Sequence, residues 1–343
     1  MARMSQKRLE EMSRAQMSDG WFVADVPLPP HPLERLVYYA RLAPSSHNSQ
    51  PWKFVVGEAE IDVFADLARW LRVADPGRRE LHVSLGCAIE SIRIAADYAK
   101  FGSTLEYFPL AHDNTLVARI RFEFAGHKRD MPAGSLLENM ITRRTSHRNF
   151  DRARVVGDEE RKSLYRCFEA GDVSLHLMQE PDALLELAAL EKAADMRLFA
   201  DEHYREELAH WVGEGGLGSN WLLSKLGQFA VGHLPVAGQV AGSDASRLAS
   251  APLVALLTTR HDRAVDAVQS GESYMRIALM AERKGIRVQP VSQVLEVPDT
   301  RAGVARLFGL GERVAQHLFR VGYADAEPGP HRRRPLGAVL LRA

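Results

Sequence analysis

The sequence predicts an α+β fold, and three observations carry the prediction. Short segments rich in β-branched and aromatic residues alternate apolar with polar positions, as half-buried strands do. Between them lie longer segments whose apolar residues recur at helical spacing. Two of the long helical segments also end alike, in Lys100-Phe101-Gly102 and in Arg283-Lys284-Gly285, each followed by a strand and a proline, Pro109 or Pro290. That echo suggests an internal duplication with a period near half the chain, far longer than a solenoid repeat. With 343 residues, 46% of them hydrophobic, the chain can bury a core large enough for two domains or one large composite.

Taken in order, Pro32 to Leu42 places Leu33, Leu36, Val37 and Ala40 at helical spacing. Ala43 to Pro51 then breaks the pattern with prolines and small polar residues, so a helix followed by an ordered loop is expected. Trp52 to Val56 and Ile61 to Phe64 read as strands, Leu81 to Phe101 as a long helix, and Thr104 to Phe108 and Leu116 to Phe124 as two further strands. A helix near Ser135 to Thr142 comes before the second half. There the expected series is a strand at Val173 to Met178, a helix at Asp182 to Arg205, a strand at Leu253 to Thr258, a long helix at Asp262 to Lys284 and a strand at Ile286 to Pro290. Trp211 to Ser250 is Gly- and Ser-rich with scattered aromatics and has no counterpart in the first half; it reads as an irregular insertion of the kind that forms lids.

Charge narrows the function. Lys plus Arg and Asp plus Glu both number 44, so the formal net charge is zero and the broad basic footprint of a nucleic-acid binder is missing. Cys87 and Cys167 lie in segments that read as helices, without Cys or His at zinc-finger spacing, so neither a structural disulfide nor a Cys-based metal site is expected. The first residues lack an apolar signal region and no stretch approaches the ~18 apolar residues of a membrane span, so a cytoplasmic protein without a membrane partner is expected.

Two strings carry chemistry. Ala43-Pro44-Ser45-Ser46-His47-Asn48-Ser49-Gln50-Pro51-Trp52 offers hydroxyls, amide side chains and exposed backbone groups in one loop. Arg143-Arg144-Thr145-Ser146-His147-Arg148, at the end of a helix, offers guanidinium groups that can fork onto an anion. The first string resembles the loop of the nitroreductase superfamily, where a Ser-Ser-x-Asn-x-Gln-Pro-Trp run wraps around FMN. The second resembles that family's Arg-Arg-Ser-x-Arg signature, with Arg144, Ser146 and Arg148 on its first Arg, its Ser and its last Arg; Thr145 replaces the second Arg, and Arg143 is placed to supply the missing contact.

The resemblance implies a nitroreductase-like fold in two fused, diverged copies forming an intramolecular pseudo-dimer. Family homodimers build each FMN site from the serine loop of one subunit and the arginine motif of the other. Here the two lie in different halves, 1–130 and 131–343, the second with a lid at about 211–250, an arrangement that resembles the Acg-type branch. One complete site per chain follows, in a monomer or a loose homodimer. Pro290, Val291, Ser292 and Gln293 resemble the strand end whose backbone amides face the flavin edge, with Ser292 and Gln293 where many homologues have Glu-Gly. His331-Arg332-Arg333-Arg334-Pro335 resembles a C-terminal basic pair, here Arg333 and Arg334, that completes the phosphate clamp.

The implied cofactor set is FMN with NADH or NADPH as electron donor, and the implied partner is a small-molecule substrate. A nitro, quinone or other conjugated acceptor would be reduced by a ping-pong mechanism in which no side-chain nucleophile is needed. The alternative is a protein that binds and sequesters flavin, with Trp211, Trp221 and Phe229 closing the cavity. A third reading, an interaction protein without cofactor, needs none of these residues. Gly213 to Gly218 matches a dinucleotide fingerprint, but no strand leads into it, so it reads as a hinge. His203 and His210 are expected at the surface, and Ser84 lacks the glycine of a nucleophile elbow.

Overall fold

The computed structural model describes residues 29–123, 136–167, 171–214, 237–325 and 332–341. Helix α1 spans Pro32–Ala40, with Pro32 at a position where its missing N–H costs nothing. Strands β1 (Trp52–Val56) and β2 (Glu60–Ala65) follow as an antiparallel pair, then helix α2 (Arg79–Tyr98), then strands β3 (Gly102–Tyr107) and β4 (Leu116–Glu123). After α3 (Leu136–Thr142) and α4 (Asp158–Tyr165) come β5 (Ser174–Met178), α5 (Pro181–Ala200), α6 (Glu202–Gly213) and α7 (Ala237–Ala249). The chain continues through β6 (Leu253–Thr259), α8 (Ala264–Arg283), β7 (Arg287–Pro290), α9 (Gln293–Glu296), α10 (Pro298–Leu307), β8 (Val314–Gly322), α11 (Leu336–Val339) and β9 (Leu340–Leu341).

Among the described residues the strands form two sheets, ordered β3-β4-β2-β1-β9 and β5-β6-β8-β7. Strand β9 returns from the far end of the chain to pair with β1 in parallel, Phe54 opposite Leu340. Strand β6, wholly buried, divides its side chains between two cores. Leu253, Ala255 and Leu257 face the main core with α2 and α8, whereas Val254 and Leu256 face a second core with Leu187 of α5, Leu248 of α7 and Val304 of α10. That period of two is what a strand covered on both faces requires.

Helices α2 and α8 are each 20 residues long and cross at the centre of the molecule. A Cβ built on Gly86 would lie 1.9 Å from Val268 O, and one on Gly271 would lie 2.0 Å from Val83 O. Only glycine at both positions lets the two backbones approach this closely. The exits also match. Lys100 (φ 61°) and Gly285 (φ 70°) both turn left-handed, and Phe101 N donates to Ala96 O at 2.9 Å as Ile286 N donates to Ala281 O at 2.8 Å.

Three expectations need correction. The helix expected over Asp182 to Arg205 is two: Asp201 is extended, and its carboxylate accepts from His203 N to start α6. The Trp211 to Ser250 insertion is not irregular throughout. Residues 211–213 end α6 and residues 237–249 form α7, which buries Ala241 and Leu248 while its glycine and serine positions cost little at the surface. Residues 215–236, with Trp221, Phe229 and most of the proposed hinge, lie outside the described residues. Cys167 falls in the turn just beyond α4 rather than in a helix, and both cysteines are buried and free.

Candidate functional site

The serine loop is strained and heavily tied down. His47, Asn48 and Gln50 all have positive φ, near 50°, a conformation that costs non-glycine residues of order 1 kcal/mol or more each. Ser84 Oγ, from the second turn of α2, accepts from Ser46 N at 3.2 Å, and Ser45 Oγ accepts from Gln50 N at 2.9 Å. Arg69 donates to Ser49 O and stacks on Trp211, 4.9 Å from its ring centre. The C-terminal segment closes the loop from outside. Asn48 Nδ2 donates to Arg332 O at 3.1 Å, Arg333 Nη1 donates to Asn48 Oδ1 at 2.6 Å, and Arg334 N donates to Gln50 Oε1 at 2.8 Å.

Arginines converge beside this loop. Burial pushes Arg333 down to about 9, and the neighbouring charges of Arg143, Arg144 and Arg41 push the same way. Arg143 is almost wholly buried at 2% exposure and is shifted down, first by desolvation. The Nε atoms of Arg41, Arg143 and Arg333 are buried without a hydrogen-bond acceptor among the described residues. Glu282, the carboxylate whose charge reaches Arg143 and Arg144, is bonded to Arg287 at 2.5 Å. The arginine motif is held in place by strand β7, with Thr145 bridging Val288 and Ser146 N donating to Val288 O at 3.2 Å. Three segments far apart in sequence thus meet at Arg333, and concentrated positive charge with unused donors is the chemistry of an anion site.

No family model matches the chain. Two Mycobacterium tuberculosis (strain H37Rv) proteins that carry the provisional name NAD(P)H nitroreductase do match: one is 28% identical over 87% of this chain and 88% of its own length, and the other, Acg, is 27% identical over 90% and 95%. The chain is thus similar to Acg-type proteins over most of its length. Among solved structures, the FMN-dependent nitroreductase NfnB from Mycobacterium smegmatis in complex with NADPH superposes with TM-score 0.41 at 18% identity, covering 62% of this chain and 99% of that one. The NADPH:FMN oxidoreductase from Vibrio harveyi complexed with NAD+ gives 0.40 at 15% identity, over 61% and 76%.

The remaining expected residues divide. Pro290 has no N–H, and the Val291 amide is spent on Leu318 O at 2.8 Å, which corrects the expectation that both present backbone donors. Val294 N is taken by Glu191 at 3.0 Å, leaving the amides of Ser292 and Gln293 with no described acceptor at the start of α9. Arg148 is exposed and pairs with Asp325 at 3.9 Å. Arg334 pairs with Asp66 at 3.1 Å and donates to Gln50 O and Trp52 O, so it braces the loop rather than offering its charge. His331 lies outside the described residues. Trp211 packs in a small core with Leu71, Ala74, Phe199 and Tyr204 and does not project as a cavity plug.

The sequence reading missed Arg41, Arg69 and Glu80, and it considered Ser84 only as a nucleophile and not as the acceptor that holds the serine loop. Arg41 follows α1, is 5% exposed and donates to Arg334 O at 3.1 Å. Glu80, 2% exposed in the first turn of α2, accepts from Ser292 Oγ at 3.2 Å and lies 3.3 Å from Arg79. A buried carboxylate is costly unless donors meet it, so Glu80 could have been suspected only once its burial was known.

Proposed function

We propose that this chain binds one FMN and is an NADH- or NADPH-driven oxidoreductase that reduces nitro, quinone or related conjugated acceptors. The convergence of Arg41, Arg143, Arg144 and Arg333 beside the serine loop, with the buried Nε atoms of Arg41, Arg143 and Arg333 left without acceptors among the described residues, carries this reading. A phosphate monoester fits such a cluster because each oxygen can take a charge-assisted donor. Arg143 and Arg333 would hold the phosphate, with Arg144 and Arg41 adding field. Ser45, Ser46, Asn48 and Gln50 would line the ribityl and ring side, and the Ser292 and Gln293 amides would face the ring edge.

Bound FMN would supply the two-electron chemistry, in a ping-pong cycle where donor and acceptor use one pocket in turn. The protein's own part is to bind, orient and shield. Helix α6 packs against the Ser46–Asn48 turn, and Arg69 links Trp211 to Ser49 O, which supports the C-terminal end of α6 as one wall of that pocket.

We further propose that the two halves are diverged copies forming a pseudo-dimer inside one chain. The reciprocal glycine contacts of α2 and α8, their matching exits, and the return of β9 to the first sheet support it. Titration of the purified protein with FMN, followed by flavin absorbance, tests both proposals. One equivalent should bind per chain, and anaerobic NADH or NADPH should bleach it. Failure to take up FMN ends the cofactor reading, and two equivalents end the single-site one.

A further inference from the structure

Glu80 lies where the two parts of the proposed site join, on the first turn of the central helix α2. That turn fastens both sides. Arg79 Nη1 donates to Leu295 O at 2.8 Å and Ser292 Oγ donates to Glu80 Oε2 at 3.2 Å, which ties α2 to the β7–α9 turn. One turn later Ser84 takes the Ser46 amide, which ties α2 to the serine loop. Glu80 is 2% exposed and has a donor or cation at each oxygen, Arg79 at Oε1 and Ser292 at Oε2.

We propose that Glu80 positions the Ser292 hydroxyl and sets the reduction potential of the bound flavin, its buried negative charge opposing the build-up of electrons on the ring. The inference rests on the FMN reading above and adds a residue that neither the serine loop nor the arginine motif contains.

Electrostatics around Glu80 support a charge that acts at a distance. Its field raises groups on each neighbouring element: Asp75 in the preceding loop, His47 on the serine loop, Glu296 on α9, His317 on β8, and Tyr274 on α8. Burial comes first in every case. It lifts Asp75 to about 7 and drives His47 and His317 to about 4, with Glu80 adding to the first shift and opposing the other two. Glu296, both of whose oxygens are buried without donors among the described residues, is raised by burial and then by Glu80. In so dry a region one unit charge acts on whatever binds beside Ser292 far more strongly than it would in water. Arg79 offsets part of that effect.

The test measures the midpoint potential of FMN bound to the full chain, by equilibration with a reference dye, alongside the FMN dissociation constant. Glu80→Gln should bind FMN within about threefold of the parent. Its two-electron reduction equilibrium should favour reduction at least tenfold more, a positive shift of about 30 mV. Glu80→Asp, which keeps the charge, should return most of the way. Ser292→Ala, which removes only the hydroxyl, should move the potential less than Glu80→Gln. Should Glu80→Gln fail to fold, Arg79→Gln replaces it and should shift the potential the other way, because it strips the charge of its partner. A Glu80→Gln protein that binds FMN at an unchanged potential overturns the proposal while leaving the cofactor reading intact. A parent protein that binds no FMN overturns the cofactor reading and this proposal with it.

Discussion

Gly86 and Gly271 occupy equivalent places on the two central helices, and each leaves room for the other helix's backbone: Gly86 faces Val268 O, and Gly271 faces Val83 O. Cys87 Sγ adds a bond across the same crossing, to Gly271 O at 3.3 Å. Two of the proposed cofactor-contacting segments are carried by this pair, since α2 holds the Ser46 amide and α8 leads directly into β7 and Ser292.

Gly86→Ala and Gly271→Ala should each force the helices apart. Overpacking against backbone, which cannot rotate away, costs typically 1–3 kcal/mol and more where relaxation is blocked. Thermal unfolding should show a clear fall in Tm for either variant, and the double variant should collect in inclusion bodies. Gly77→Ala, with nothing within 4 Å of the added methyl, is the control and should lie close to the parent. A parent-like Tm for Gly86→Ala would show that the crossing is looser than described.

Much of the scaffold was legible because it obeys local rules. Strand β1 matches its expected bounds, Trp52–Val56, since a run of apolar and β-branched residues follows a proline-closed loop. Strand β8 was not legible. Val314–Gly322 buries Gln316, His317 and Arg320 along with its apolar residues, so the alternation that marks a strand is erased by polar groups whose partners lie far away in sequence. Arg320, for instance, is held by Gln289 Oε1 at 2.6 Å and Ser146 O at 3.2 Å. The same holds for the site. Ser45, Ser46, Asn48 and Gln50 announce themselves as a contiguous string, whereas Arg41 and Glu80 are single charged residues beside or within ordinary helices and gain meaning only from tertiary burial.

Asp195 gives a pH-dependent prediction. It is fully buried on α5, neither oxygen has a partner among the described residues, and burial, then Asp244, raises it from an ordinary 3.8 to about 7. An acid whose folded value lies above its unfolded one contributes stability at low pH, and that contribution is lost as pH rises through the folded value. Its share therefore declines between about pH 4 and 7. Asp195→Asn should raise Tm relative to the parent at pH 8, with a difference that shrinks by pH 5. A variant that is less stable at pH 8 would mean that a cation meets this carboxylate.

Asn48→Ala separates the loop from the tail. The amide side chain accepts from Arg333 and donates to Arg332 O, so its loss frees the tail and leaves Arg333 less well aimed. FMN affinity should fall by roughly 1–3 kcal/mol, the range for a polar group whose buried partner loses its bond. Fluorescence quenching of free FMN on titration measures it. Equal affinity in parent and variant would remove the serine loop from the cofactor site.

Arg143→Ala should change two quantities in opposite directions. In the protein without ligand, Arg143 is a buried guanidinium whose described hydrogen bond is a long one, 3.4 Å to Thr145 Oγ1, and it sits within reach of the charges of Arg144 and Arg333. Such a charge costs stability, because among the described residues no carboxylate pairs with it directly to offset its desolvation. Removing it should leave the ligand-free Tm unchanged or higher, even though a side chain is lost from the interior. With FMN present the sign reverses. A charge-assisted contact to phosphate contributes about 1.5–3 kcal/mol, so FMN affinity should drop by about 10- to 100-fold and the gain in Tm on adding FMN should shrink with it. Raised salt should weaken the parent's binding more than the variant's, since the variant carries less charge to be screened. A lower ligand-free Tm with unchanged FMN affinity would identify Arg143 as a structural residue, and the anion site would then have to be built from Arg333 and Arg144 without it.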